Sequence, residues 1–128
     1  MDGSCLDLYI ITQKSVCGSW ADDRLGDEEY LGEVKMIDAQ TLLYGVIGNP
    51  VKHSLSPIIH NAAFERMGLN AAYLAFEVND LIGTLNGIRG LGISGVSVTI
   101  PFKTQVIPLL DQVEDIARKI QAVNTIKN

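Results

Sequence analysis

The chain has 128 residues, of which 47% are hydrophobic and 20% charged, with a formal net charge of −5. That balance describes one globular domain with a buriable core and excludes a wholly disordered chain. The longest uncharged runs, 39–51 and 90–102, fall short of the ~18 residues a spanning helix needs, and an acidic chain without a Lys/Arg cluster is a poor partner for nucleic acid.

Asp2 and Asp7 stand where a secretory signal carries basic residues, so the expected location is the cytoplasm. Cys5 and Cys17 lack C-x-x-C spacing and a nearby His, and are read as free thiols in a reducing compartment. Residues 1–40 hold nine acids against three bases. The run 21–29 follows neither a helical nor a strand period, and 1–40 is taken as an extension or linker without a readable role.

From residue 41 the pattern becomes a compact alternation. The run 42–47 is apolar and closes on Gly48-Asn49-Pro50, as a buried strand ending in a turn. Ser56-Pro57 offers an N-cap with Pro at the first helical position. Ile58, Ile59, Ala62, Ala63 and Arg66 share one face of that predicted helix, and Gly68 is placed to end it. A second strand is expected over 72–78, then a helix capped by Asn79 or Asp80 and running to about Arg89, weakened by Gly83 and Gly87. The β-branched stretch 95–100 reads as a third strand stopped by Pro101. A helical piece over 102–110 is broken at Pro108, and a further helix is expected over 111–120 with Val113, Ile116, Ala117 and Ile120 as its apolar positions. A fourth strand follows at 122–126. The fold class is therefore α/β, a mostly parallel sheet sandwiched by helices, and such sheets bind ligands at the C-terminal ends of their strands.

Gly90-Leu91-Gly92-Ile93-Ser94-Gly95 spells G-x-G-x-x-G. A pyrophosphate cradle needs a strand before the glycines and a helix after them. Here the order is reversed, so the glycines read as a tight αβ turn.

Three polar clusters follow the predicted strands. Ser54 and Ser56 beside a helix start could take a carboxylate, although on the bare sequence a capping Ser56 and a solvent-facing Ser54 explain them better. Thr99 and Lys103 flank Pro101 at a strand end, where a lysine could stabilise an oxyanion and pass a proton, or simply be a surface residue. Asn124, placed inside the last strand, needs a partner if buried, either substrate hydroxyl or backbone. His53 and His60 lack accompanying ligands, so no metal site is expected, and His60 is read as making structural hydrogen bonds.

The stretch Tyr44-Gly45-Val46-Ile47-Gly48-Asn49-Pro50-Val51-Lys52-His53-Ser54-Leu55-Ser56-Pro57, followed by His60-Asn61-Ala62-Ala63-Phe64, closely resembles the opening of shikimate dehydrogenase. Val98-Thr99-Ile100-Pro101-Phe102-Lys103 and Ala122-Val123-Asn124-Thr125 resemble that family's next two signatures, in order and spacing. The resemblance implies the substrate-binding domain, over 41–128, of an enzyme that reduces 3-dehydroshikimate to shikimate with NADPH. It implies that Ser54 and Ser56 bind the shikimate carboxylate, that Thr99 and Asn124 hydrogen-bond the ring side, and that Lys103 both contacts the substrate and is catalytic. The partner it implies is this small-molecule substrate, and a homodimer is one assembly the exposed apolar surface allows. No cofactor-binding residue is expected here: the NADP-binding glycine loop, the catalytic aspartate and a later glutamine fall beyond Asn128. The chain alone is therefore expected to be inactive. Ser97 stands where the family usually has Asn and Ile93 where Phe is frequent, with consequences expected for packing or loop anchoring more than for chemistry. The stretch 35–41 is similar to the linker that joins a dehydroquinate dehydratase to this domain in bifunctional versions. The alternatives are such a bifunctional fragment, a quinate/shikimate dehydrogenase, and a non-catalytic shikimate- or quinate-sensing module.

Overall fold

A computed structural model describes residues 37–128. Cys5, Cys17, the acidic run 21–29 and the first residues of the linker-like stretch lie outside the described residues. The chain enters the sheet through a turn at 38–41. Asp38 Oδ1 accepts from the Gln40 N–H and from Asn70 Nδ2, both at 2.9 Å, and Thr41 Oγ1 donates to Asn70 Oδ1 at 2.7 Å. The Asn70 amide beside Asp38 holds its carboxyl below the usual carboxylate range.

Strand β1 (Leu42–Gly48) pairs in parallel with β2 (Ala71–Glu77) on one side and with β3 (Gly95–Val98) on the other. β4 (Thr125–Lys127) lies antiparallel outside β3, giving the order β2-β1-β3-β4. Helix α1 (Ser56–Arg66) connects β1 to β2, and α2 (Leu81–Leu91) connects β2 to β3. After β3 come α3 (Phe102–Gln105), a 3-10 turn at Ile107–Leu109 containing Pro108, and α4 (Asp115–Ile120).

Strand alternation gives the sheet two faces. Ile47, Val96, Val98 and Ile126 belong to the larger core, with Leu85 and Ile88 of α2, Phe102 of α3 and Ala117 of α4 packed among them. Val46 and Tyr73 form the smaller core with Val51, under Phe64 of α1. The chain steps from β1 out to β2 through α1, then returns through α2 on the other face to place β3 on the far side of β1, so strand order reverses at β1. The topology therefore opens a crevice between the C-terminal ends of β1 and β3.

Several sequence expectations hold in kind and shift in detail. Asp80 caps α2, its Oδ1 accepting the Gly83 N–H at 3.0 Å, and Gly92 ends that helix with φ 66°. The glycine motif is therefore a helix end leading into β3. The strand expected over 95–100 stops at Val98: Thr99 N–H still bonds the Ile47 carbonyl, and the chain then turns at Pro101. The helix expected from 111 begins only at Asp115, and Ile116 and Ile120 are exposed while Ala117 is buried. Its last strand begins at Thr125, which leaves Asn124 outside it.

The apolar face expected for α1 is corrected more sharply: Ile58 and Ile59 are 69% and 63% exposed. Aromatic packing selects the other face. The His60 ring stacks on Tyr73 with centroids 4.2 Å apart, and Phe64 meets Tyr44 at 5.6 Å. Asn61 sits between them and serves the outer edge of β2, donating to the Tyr73 carbonyl at 2.8 Å and accepting from its N–H at 2.9 Å. A β2 edge strand would otherwise leave those groups unpaired. His60 therefore packs through its ring face on Tyr73, rather than through the side-chain hydrogen bonds expected of it.

Burial pushes the His60 imidazole below its ordinary value of 6.5. The fold favours the neutral ring, so the unfolded chain binds the extra proton at acid pH. The contribution to stability is complete above pH 6.5 and falls as the pH drops below that value. Urea unfolding between pH 7.5 and 5 should show wild type losing more stability on acidification than His60→Phe. Parallel losses in the two chains would remove His60 from the account.

Candidate ligand site

At the crevice between β1 and β3 lies a cavity of about 400 Å³. Val46, Pro50 and Val51 line it from the β1 side, and 97–100 line it from the β3 side. His53, Ser54 and Ser56 close it from the loop that leads into α1. The loop is held because Val51, 1% exposed, packs into the core under α1, and Ser54 N–H bonds the Val51 carbonyl at 2.9 Å.

Asn49 is the fastener of this end of the sheet. Its N–H donates to the Ile100 carbonyl at 3.0 Å, and its Nδ2 donates to the Val78 carbonyl at 3.0 Å and to Asn79 Oδ1 at 3.2 Å. One residue after β1 thereby ties together the chain segments leaving β2 and β3. The peptides preceding Pro50 and Pro101 are both cis. Gly48 has a specific steric reason: a Cβ there would collide with the Thr99 methyl and crowd the Ile100 carbonyl.

Ser54, Ser56 and Thr99 are all half-buried and all line the cavity. The helix start is not as expected, however. Leu55 occupies the cap position, and Ser56 is the first helical residue. Ser54 Oγ accepts the Ser56 N–H at 3.2 Å, while Pro57 has no N–H to give. Fewer backbone donors face a ligand than the sequence suggested. The Ser54 oxygen is engaged as an acceptor, which leaves its hydroxyl proton for the cavity.

Lys103 and Asn124 are not among the cavity-lining residues. Asn124 borders it through the backbone, its carbonyl accepting from the N–H of the lining residue Val98 at 2.7 Å, whereas the Lys103 carbonyl accepts from Val123 N–H at 2.8 Å, away from the lining. Lys103 is half-buried in the first turn of α3, two residues past Pro101. Asn124 is exposed, so the burial that was to demand a partner for it is absent.

Ser97 was underrated by the sequence. It lines the cavity, and its Oγ accepts a 2.7 Å hydrogen bond from the Tyr73 hydroxyl. Its two-residue spacing from Thr99 was the available signal, since alternate strand residues share a face. Ile93, 7% exposed, is a core residue.

The hydroxyl-lined cavity thus lies at the topological switch point, where open α/β sheets place their ligands. The chain is a member of the shikimate dehydrogenase substrate-binding domain family, which matches residues 46–126. A shikimate dehydrogenase (NADP(+)) of Aquifex aeolicus is 58% identical over 94 residues, covering 72% of this chain and 35% of that protein. A crystal structure of shikimate dehydrogenase from Aquifex aeolicus superimposes with a TM-score of 0.70 at 58% identity, over 72% of this chain and 35% of that one. The Listeria monocytogenes shikimate 5-dehydrogenase in complex with shikimate and NAD gives a TM-score of 0.69 at 42% identity, over 72% of this chain and 32% of that one. The chain thus spans about a third of the length of the relatives it matches.

Replacing Asn49 by Ala removes the side-chain bonds to Val78 and Asn79 while leaving the backbone bond to Ile100. Urea unfolding should show a loss of about 1–3 kcal/mol, accompanied by faster amide exchange at Val78, whose own N–H bonds the Gly48 carbonyl at 3.0 Å. A stability within a few tenths of wild type would show that Asn49 does not hold this end together.

Proposed function

We propose that this chain acts as the substrate-binding domain of an NADP-dependent shikimate dehydrogenase, taking shikimate and 3-dehydroshikimate into the cavity between β1 and β3. The observation that carries the reading is the convergence of Ser54, Ser56 and Thr99 on one cavity, within the stretch that matches the family. Hydroxyl donors of this kind suit a carboxylate at one end and ring hydroxyls at the other. Ser54 and Ser56 take the carboxylate beside the α1 start, where the helix dipole favours an anion. Thr99 takes the ring side, and Asn124, exposed at the cavity border, joins it there.

Lys103 follows Thr99 on the segment that turns at Pro101, and we assign it the oxygen that gains negative charge as the carbonyl becomes an alcohol. An ammonium there stabilises that charge and can surrender a proton to it. The glycine motif does not fit a dinucleotide. Gly90 lies inside α2, Gly92 ends it and Gly95 begins β3, so these glycines run from helix to strand, opposite to a pyrophosphate cradle. We place NADP on a separate domain, and the cytoplasm is the compartment proposed for the whole. Among the described residues, no helix is long and apolar enough to cross a membrane.

Ser54→Ala and Ser56→Ala are each expected to cost roughly 1.5–3 kcal/mol in shikimate binding. Calorimetry with shikimate and with its neutral methyl ester checks the assignment. A comparable loss for both ligands would show that the serines shape the loop rather than hold the carboxylate.

Lys103→Ala, placed in the chain joined to the cofactor domain of a relative, should lower kcat by about 10²–10⁴-fold with a much smaller change in KM. A variant that loses affinity and keeps kcat would make Lys103 a binding residue instead.

A further inference from the structure

Tyr73 and Ser97 stand on different strands with β1 between them. In register, Tyr73 lies opposite Tyr44 on β1, while Ser97 lies opposite Val46. The phenol therefore reaches diagonally across β1, over the sheet face covered by α1, to make its 2.7 Å bond to Ser97 Oγ. Tyr73 is 4% exposed, and it is fixed at three points besides its hydroxyl. Its ring lies against His60, and its backbone N–H and carbonyl are both held by Asn61. Burial also raises the Tyr73 phenol above its ordinary value, so it stays protonated and able to donate throughout the neutral range.

A serine hydroxyl has one proton to give. With its oxygen accepting from Tyr73, Ser97 retains that proton, and its position on the cavity wall leaves the cavity as the direction for it. A lone serine on a strand would sample three rotamers and lose entropy on binding. A rigid phenol removes that freedom in advance.

We propose that Tyr73 is a positioning residue for the ligand site: its hydroxyl locks the Ser97 side chain so that Ser97 donates into the cavity, beside Thr99, to an oxygen of the bound ligand. The proposal rests on the functional reading above for the identity of that ligand, and not for the locking itself. His60 and Asn61 act one step further back by fixing Tyr73, which gives the aromatic face of α1 a purpose at the site.

The test uses the whole 128-residue chain with Tyr73→Phe, Ser97→Ala and the double variant, and shikimate as probe. Couplings between the Ser97 α- and β-protons should report one rotamer in wild type and an average in Tyr73→Phe. In wild type, a slowly exchanging Tyr73 hydroxyl proton should show a nuclear Overhauser effect to the Ser97 β-protons. Shikimate binding should weaken roughly 3- to 10-fold in Tyr73→Phe, the worth of one hydrogen bond, and should not weaken further when the same change is made on Ser97→Ala. An unchanged Ser97 rotamer in Tyr73→Phe would overturn the proposal, as would an equal loss of affinity with and without Ser97, which marks a structural role only. If Tyr73→Phe does not fold, the wild-type hydroxyl signal decides alone, and its absence overturns the lock. Failure of wild type to bind shikimate would overturn the functional reading, while the rotamer comparison would still decide the role of Tyr73.

Discussion

Three strands running the same way end side by side, and each end exposes backbone groups that sheet pairing no longer satisfies. Asn49 resolves this with its N–H on Ile100 and its amide on Val78 and Asn79. Thr99 adds the bond from its N–H to the Ile47 carbonyl at 3.0 Å. These contacts hold the segments after β1, β2 and β3 at fixed separation, and the cavity is the space between two of them. Without that fastening, Ser54 and Thr99 would lie on independently moving loops, and a pocket of converging hydroxyls would not exist before the ligand arrived.

The two faces of the sheet divide the labour. The face under α2, α3 and α4 is aliphatic, built on Ile47, Val96, Val98 and Ile126, and supplies most of the buried apolar surface. The face under α1 is smaller and richer in polar and aromatic groups: Tyr44, Tyr73, His60, Asn61 and Ser97 meet there. A ligand site needs oriented donors more than apolar area, so it falls on the second face while the first secures the fold. The cost is borne by α1, which turns Ile58 and Ile59 outward so that its aromatic residues can meet the tyrosines.

Much of this was legible in the sequence. The alternation of strand and helix, the Asp80 cap, the reversed glycine motif and the strand-end position of Ser54, Ser56 and Thr99 all follow from local pattern, because turn chemistry and β-branched runs act over a few residues. The orientation of α1 was not legible: Ile58, Ile59 and Ala62 make a plausible apolar stripe, and only the distant partners Tyr44 and Tyr73 decide against it. Tyr73 and Ser97 are 24 residues apart in the chain, and nothing local announces their hydrogen bond. Asn124 was misplaced for a related reason, since β4 takes its bounds from pairing with β3 rather than from its own composition.

The account stands most directly on which residues a ligand touches. Amide chemical shifts of the chain, followed during titration with shikimate and then with shikimate methyl ester, would map this. The account predicts shifts at Ser54, Ser56 and Thr99 with shikimate, and with the ester a selective loss at Ser54 and Ser56 while Thr99 still responds. Shifts confined to residues outside the cavity, or an identical map for the charged and neutral ligands, would contradict it.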